Sequence, residues 1–164
     1  MENKPIKRSE YIISLSRDHH AGLLFGWKIK EGLRKGVPLP KILKYINFFW
    51  DGHLKDHFRE EEVLLFDRLD DELSRQGKSE HLMLERQLQH LNHDGHEAAA
   101  DYLSFAELLT KHIRFEERTL FPHLESSLPK EVLKQVGEFL NAQHGAPFID
   151  NYPDEFWDKS YPLK

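Results

Sequence analysis

Histidine and glutamate sit four residues apart in two segments of this 164-residue chain, as His57 with Glu61 and His112 with Glu116. On an α-helix, residues i and i+4 share a face and lie one turn apart. One helix can therefore give an imidazole to one metal ion and a carboxylate that reaches toward a second. Two such helices supply two histidines and two potentially bridging carboxylates. That ligand set suits non-haem iron, and equally manganese or zinc. The two motifs belong to an internal repeat, HFREEEVLLFDRL at 57–69 and HIRFEERTLFPHL at 112–124, with seven positions identical in register. Besides the histidines and Glu61/Glu116, these are Arg59/Arg114, Glu62/Glu117, Leu65/Leu120, Phe66/Phe121 and Leu69/Leu124.

The elements that must position these groups are helical. Apolar residues recur at helical spacing, and alternating β-branched runs do not occur. The first helix is expected from about Glu10 to Lys35, with Ile12, Leu15, His19, Gly22/Leu23, Gly26, Ile29 and Leu33 along its inner stripe. Gly36, Pro38 and Pro40 stop it and open a second helix running to about Leu69. The third begins between Asp71 and Ser79 and ends near Asn92, and Asp94-Gly95 signals a turn. The fourth spans about Glu97 to Ser127, with a disturbance expected at Pro122. Pro129 opens a short fifth helix to about Gln143. The aromatic tail, with Phe148, Tyr152, Phe156, Trp157 and Tyr161, is expected to wrap the bundle. Short connections between long helices imply an all-α, antiparallel up-down-up-down four-helix bundle. One domain, 1–164, is expected, with the bundle at about 10–127 and the C-terminal helix and tail at 128–164.

Depth along the helices brings two more histidines to the same place. His19 lies seventeen residues before Gly36, and His57 lies seventeen after Pro40. At a rise of roughly 1.5 Å per residue, both sit about 25 Å from the same loop. The midpoint of His81 and His112 falls between residues 96 and 97, close to the expected turn. His19, His57, His81 and His112 can thus meet in one layer with Glu61 and Glu116. A polar layer of that kind inside a core is very costly without a compensating partner, and a metal pair provides one.

Other groups are weighed against plainer roles. His20 competes with His19, but its stripe is less apolar, which favours His19. His53, one turn before His57, lines the site entrance or ends a helix. His90, His93 and His96 read as a solvated helix end, and His123 as lying outside the site. Arg59 with Glu62, and Arg114 with Glu117, read as surface ion pairs worth little, or the two glutamates as spare ligands. Gly22 and Gly26 each cost roughly 1 kcal/mol against alanine in a helix. They are read either as close packing against Phe48, Phe49 or Trp50, or as lining a small apolar space for a diatomic ligand.

These residues resemble the hemerythrin (HHE cation-binding) family over roughly 10–127. The resemblance rests on LSRDHH with His19, HFREE with His57 and Glu61, EHLMLE with His81, and HIRFEE with His112 and Glu116. It implies two iron ions joined by an oxo or hydroxo bridge, and adds Glu85 as a further ligand candidate. Oxygen carriers of the family usually have a second histidine where Glu85 stands, and an aspartate five residues after the last histidine, where Glu117 stands. The pattern is closer to bacterial HHE proteins implicated in iron sensing, nitric-oxide response or iron–sulfur repair. The expected function is therefore binding or sensing of oxygen, nitric oxide or iron itself. A di-iron oxidase or peroxidase is the rival enzyme class, but the ferritin-like Glu-x-x-His arrangement is absent. A metal-free interaction module would leave the polar layer unexplained.

Composition narrows the remainder. A net charge of -5 gives no nucleic-acid footprint. No apolar run is long enough for a membrane span. The polar first ten residues lack the apolar core of a signal peptide, so a cytoplasmic location is expected. The absence of cysteine excludes disulfides, thiolate sites and iron–sulfur clusters. Because histidine must be neutral to bind metal, release is expected on acidification to about pH 4–5.

Overall fold

A computed structural model describes residues 7–93, 98–143 and 148–161, and among these there are helices and no strands. Helix α1 (Ile13–Arg34) closes on Gly36, whose φ of +70° is the left-handed geometry that ends a helix. Val37 N–H reaches back to Gly32 O at 2.9 Å to satisfy a terminal carbonyl. Pro38 and Pro40 then start α2, which comprises Leu39–Phe49, a π-helical turn Trp50–Leu54, and Lys55–Leu64.

The expected end of α2 at Leu69 is corrected to Leu64. Leu64, Leu65 and Phe66 are all buried in succession. A helix rotates consecutive side chains too far apart to bury three in a row on one face. The chain tightens instead into a 3-10 turn, Phe66–Arg68, and Arg68 Nε donates to the released Leu64 carbonyl at 2.9 Å. Asp71 caps α3 (Glu72–Leu91) by accepting from Ser74 N–H at 2.9 Å. The turn expected at Asp94-Gly95 lies outside the described residues, as does His96. Helix α4 comprises Ala99–Phe115, a π-helical turn Glu116–Leu120, and Phe121–Ser127. The disturbance expected at Pro122 therefore exists, but it sits in the turn before the proline. Helix α5 is Lys130–Gln143. No helix among the described residues is long and apolar enough to cross a membrane.

Two apolar clusters flank a polar layer. One is built around Phe25, Ile29, Tyr45, Phe49, Leu84, Phe105 and Leu109. The other holds Ile12, Leu15, Leu64, Phe66, Leu120, Phe121, Leu124 and Leu140. The helices pass from one to the other, and the histidines lie between. Helix α1 makes its most extensive contact with α4. Gly22 and Gly26 belong to this contact: a Cβ on Gly22 would stand 2.8 Å from Ile113 Cδ1, and one on Gly26 3.2 Å from Thr110 Oγ1. Their packing partners are thus on α4, and neither Phe48, Phe49 nor Trp50.

The tail crosses the first apolar cluster, as its composition suggested. Phe156 is fully buried and lies where a Cβ on Gly32 would collide with it at 2.7 Å. Asp150 ties the tail down by accepting from buried Lys28 Nζ at 2.9 Å and from the Tyr45 hydroxyl. The Lys28 ammonium also sits 4.3 Å from the Trp157 ring centroid, a cation–π contact.

Candidate metal centre

All six groups expected in the layer come together there, each at most 5% exposed. The Nε2 atoms of all four histidines point at two glutamates. Glu61 lies 3.2 Å from His57, 3.3 Å from His81 and 3.4 Å from His19. Glu116 lies 2.5 Å from His112, 2.9 Å from His19 and 3.2 Å from His81. Two overlapping groups result, His19–His57–Glu61–Glu116 and His81–His112–Glu61–Glu116, each with its ligand atoms within 4.8 Å of one another. Both carboxylates are common to both groups.

Three of the four opposite ring nitrogens are also occupied. His57 Nδ1 donates to Asp18 at 3.1 Å, His112 Nδ1 to Glu80 at 2.9 Å, and His19 Nδ1 to Glu117 at 2.6 Å. His81 Nδ1 stands 3.5 Å from Glu62, too long for a good hydrogen bond. Outer carboxylates of this kind fix the tautomer and ring orientation of a metal-binding histidine. With the Nδ1 proton held outward, the Nε2 lone pair of a neutral ring faces carboxylate oxygens. Lone pair against lone pair at such distances is unfavourable unless a cation or a proton stands between them. Consistently, Nε2 of His19, His57 and His112, both Glu61 oxygens and Glu116 Oε2 are buried without a hydrogen-bond partner. The residues present therefore fit a metal site.

Electrostatics agrees. Burial is the largest influence on His19 and disfavours its charge, yet Glu116, Glu117 and Glu61 together push its pKa well above 6.5. The same balance raises His81, through Glu116 and Glu61, and His112, through Glu116. Burial pulls His57 down, but Glu61 and Asp18 lift it to about 9. Burial would raise the Glu116 pKa, whereas His112 and His19 hold it well below the ordinary range. The layer demands positive charge, and protons are what it takes when nothing else is there.

The other candidates fall elsewhere. His20 and Glu85 are both exposed and stand outside the two groups, so neither joins the layer. Glu85 instead lines a groove of about 190 Å³ that reaches His81 beside Glu62 and Arg59. A second cavity, about 320 Å³, reaches His57 past Asp18, His53 and Asp56. Both cavities reach the edge of the layer. The space expected beside Gly22 is filled by Ile113, because the glycines bring α1 and α4 into contact there. His53 is buried, stacked on Phe148 at 4.2 Å, and lines the second cavity. His123 lies outside the layer and bonds the helix cap Asp71 at 2.7 Å. Glu62 and Glu117 are neither spare inner ligands nor simple partners of Arg59 and Arg114. They turn toward α3 and α1.

Helices holding a buried layer of four imidazoles and two shared carboxylates define a class of helical cation-binding protein. Residues 12–124 match the family model of the hemerythrin HHE cation-binding domain, and the chain belongs to that family. No curated protein and no solved structure matches the chain.

Proposed function

We propose that the protein holds two iron ions on His19, His57, Glu61, His81, His112 and Glu116, and that it binds or senses oxygen, nitric oxide or iron itself. The convergence of four Nε2 atoms on two shared carboxylates carries this proposal. One ion would be held by His19 and His57, the other by His81 and His112, with Glu61 and Glu116 spanning both. Bound iron supplies redox chemistry and an open coordination position for a small ligand. The chain's own residues orient and insulate the pair. Asp18, Glu80 and Glu117 hold protons on the outer ring nitrogens, and the apolar clusters exclude water on either side. The cavities beside His57 and His81 offer routes for a diatomic molecule. In this proposal the first four helices form an up-down-up-down bundle within one domain, and the protein acts in the cytoplasm.

Metal analysis and an ultraviolet–visible spectrum test it, on the protein as isolated, reduced, and exposed to air with and without azide. Two irons per chain and ferric bands that shift with azide are expected. No iron, or a single zinc without a visible spectrum, would sink the di-iron assignment.

A further inference from the structure

Glu117, the carboxylate on His19, is itself held by a residue far away in sequence. The Arg8 side chain is only 5% exposed, and its Nη2 lies 3.1 Å from Glu117 Oε2. The same Nη2 donates to the Glu117 backbone carbonyl at 2.6 Å, and Nη1 pairs with Glu125. Ser9 N–H fixes the second Glu125 oxygen at 2.6 Å. The Arg8 guanidinium also lies 5.3 Å from the Phe121 ring centroid, and Phe121 stacks on the His19 ring at 5.2 Å. Two separate chains of contact thus run from Arg8 to the same imidazole, one through a carboxylate and one through a ring.

The backbone of α4 explains why an arginine fits there. In the π-helical turn, Phe121 N–H bonds the Glu116 carbonyl. The next residue, Pro122, has no N–H. The Glu117 carbonyl is therefore left for Arg8. The first repeat differs here: Asp67, which carries an N–H, stands where the second has Pro122, and Glu62 lies 3.5 Å from His81 and is 35% exposed. Arg8 and Glu125 both lie outside the family match at 12–124.

We infer that Arg8 is a positioning residue for His19, fixing the imidazole through Glu117 and Phe121 so that its Nε2 stays on the inner carboxylates. The inference rests on the two-ion proposal above for its consequence: Arg8 secures the ion on His19 and His57 and leaves the other alone. A planar fork is needed, since an ammonium cannot serve Glu117 and Glu125 with the same fixed geometry.

The test uses the full chain loaded with cobalt(II) and challenged with a chelator. In Arg8→Ala, one equivalent should leave up to roughly 10-fold faster than in the parent, the lower end of the range for removing the outer partner of a metal ligand, because Arg8 acts one contact further out, through Glu117. The second equivalent should keep its parent rate. Arg8→Lys should fall between. Equal acceleration of both equivalents, acceleration of neither, or full recovery with lysine would overturn the inference. A metal-free measurement stands beside it. The His19 Nδ1 proton should be protected from exchange in nitrogen-edited spectra of the parent and lose protection in Arg8→Ala, while the His57 and His112 protons keep theirs. Unchanged His19 protection would overturn the inference. Fewer than two cobalt ions on the parent would count against the two-ion proposal, and the ring spectrum would then decide on Arg8 alone.

Discussion

The two copies of the repeat present the same inward histidine and glutamate on differently built scaffolds. His57 and Glu61 match His112 and Glu116 residue for residue, and both pairs enter the layer. The π-helical turn precedes the histidine in the first copy and follows it in the second. The first copy breaks into a 3-10 turn after Leu64, whereas the second runs through Pro122 to Ser127. Helices α1 and α3 differ in a complementary way. Counted from His19 and His81, Leu15 corresponds to Gly77, Gly22 to Leu84, and Gly26 to Leu88. The close approach falls on one side of the layer in α1 and on the other in α3, where a Cβ on Gly77 would meet Leu120 at 2.8 Å. Ligand chemistry tolerates such exchanges because it needs only the positions of a few atoms. Packing does not need symmetry, only filled volume.

The equivalence of the copies is broken most severely by removing a shared carboxylate. Glu61→Ala or Glu116→Ala should each lose both ions, because each glutamate touches both histidine pairs. His57→Ala and His112→Ala should each lose one. Metal-to-chain ratios check this, and a Glu116→Ala protein that keeps one firmly bound ion would refute the sharing.

Loaded and metal-free protein should differ in the sign of their pH dependence. In the metal-free protein the folded His57 pKa, about 9, exceeds its ordinary 6.5. Its contribution to stability is therefore complete below 6.5 and disappears as pH rises through about 9. Glu61 and Glu116 are depressed from 4.5, so their contribution is present above that value and is lost as acid protonates them in the fold. Metal-free protein should melt highest between roughly pH 4.5 and 6.5 and weaken toward 9. Loaded protein should gain stability with pH over that upper window, since protons compete with metal, and should release it near pH 4–5. Melting curves with and without chelator would decide, and parallel slopes would contradict the assignment.

A smaller effect separates the outer carboxylates. Glu117→Gln should weaken metal binding roughly 10- to 100-fold, and Glu62→Gln less, because only Glu117 is within good bonding distance of its histidine. Equal losses in competition titrations would mean that the outer contacts are interchangeable. The smallest expected effect tests the glycine exchange. Gly22→Leu should cost about 1–3 kcal/mol in denaturant unfolding by overfilling the α1–α4 contact. If it instead left stability intact and blocked azide, the space first read beside His19 would exist after all.

The inner layer was legible in the sequence because it follows from helical periodicity and from counting residues to a loop. Six groups could be placed without knowing how the helices pack. The outer carboxylates could not. Asp18 precedes His19 but serves His57 on α2, and Glu80 precedes His81 but serves His112 on α4. Their effect depends on interhelical geometry, to which spacing within one helix is blind. A hint was available: an acidic residue precedes the helix-one and helix-three histidines alike, and Glu62 and Glu117 align in the repeat. Arg8 left no signal, since its contacts span more than a hundred residues. The glycines signalled close approach correctly, but not to which neighbour.

Each helix pair contributes both histidines of one group, and only Glu61 and Glu116 belong to both groups. In the language of oligomers, the molecule is an isologous dimer written as a single polypeptide. Each half brings a complete imidazole pair and trades one carboxylate with the other, on the same terms. The traded carboxylates are crossed arms, and neither half can swing away without withdrawing an oxygen from its partner's imidazole pair.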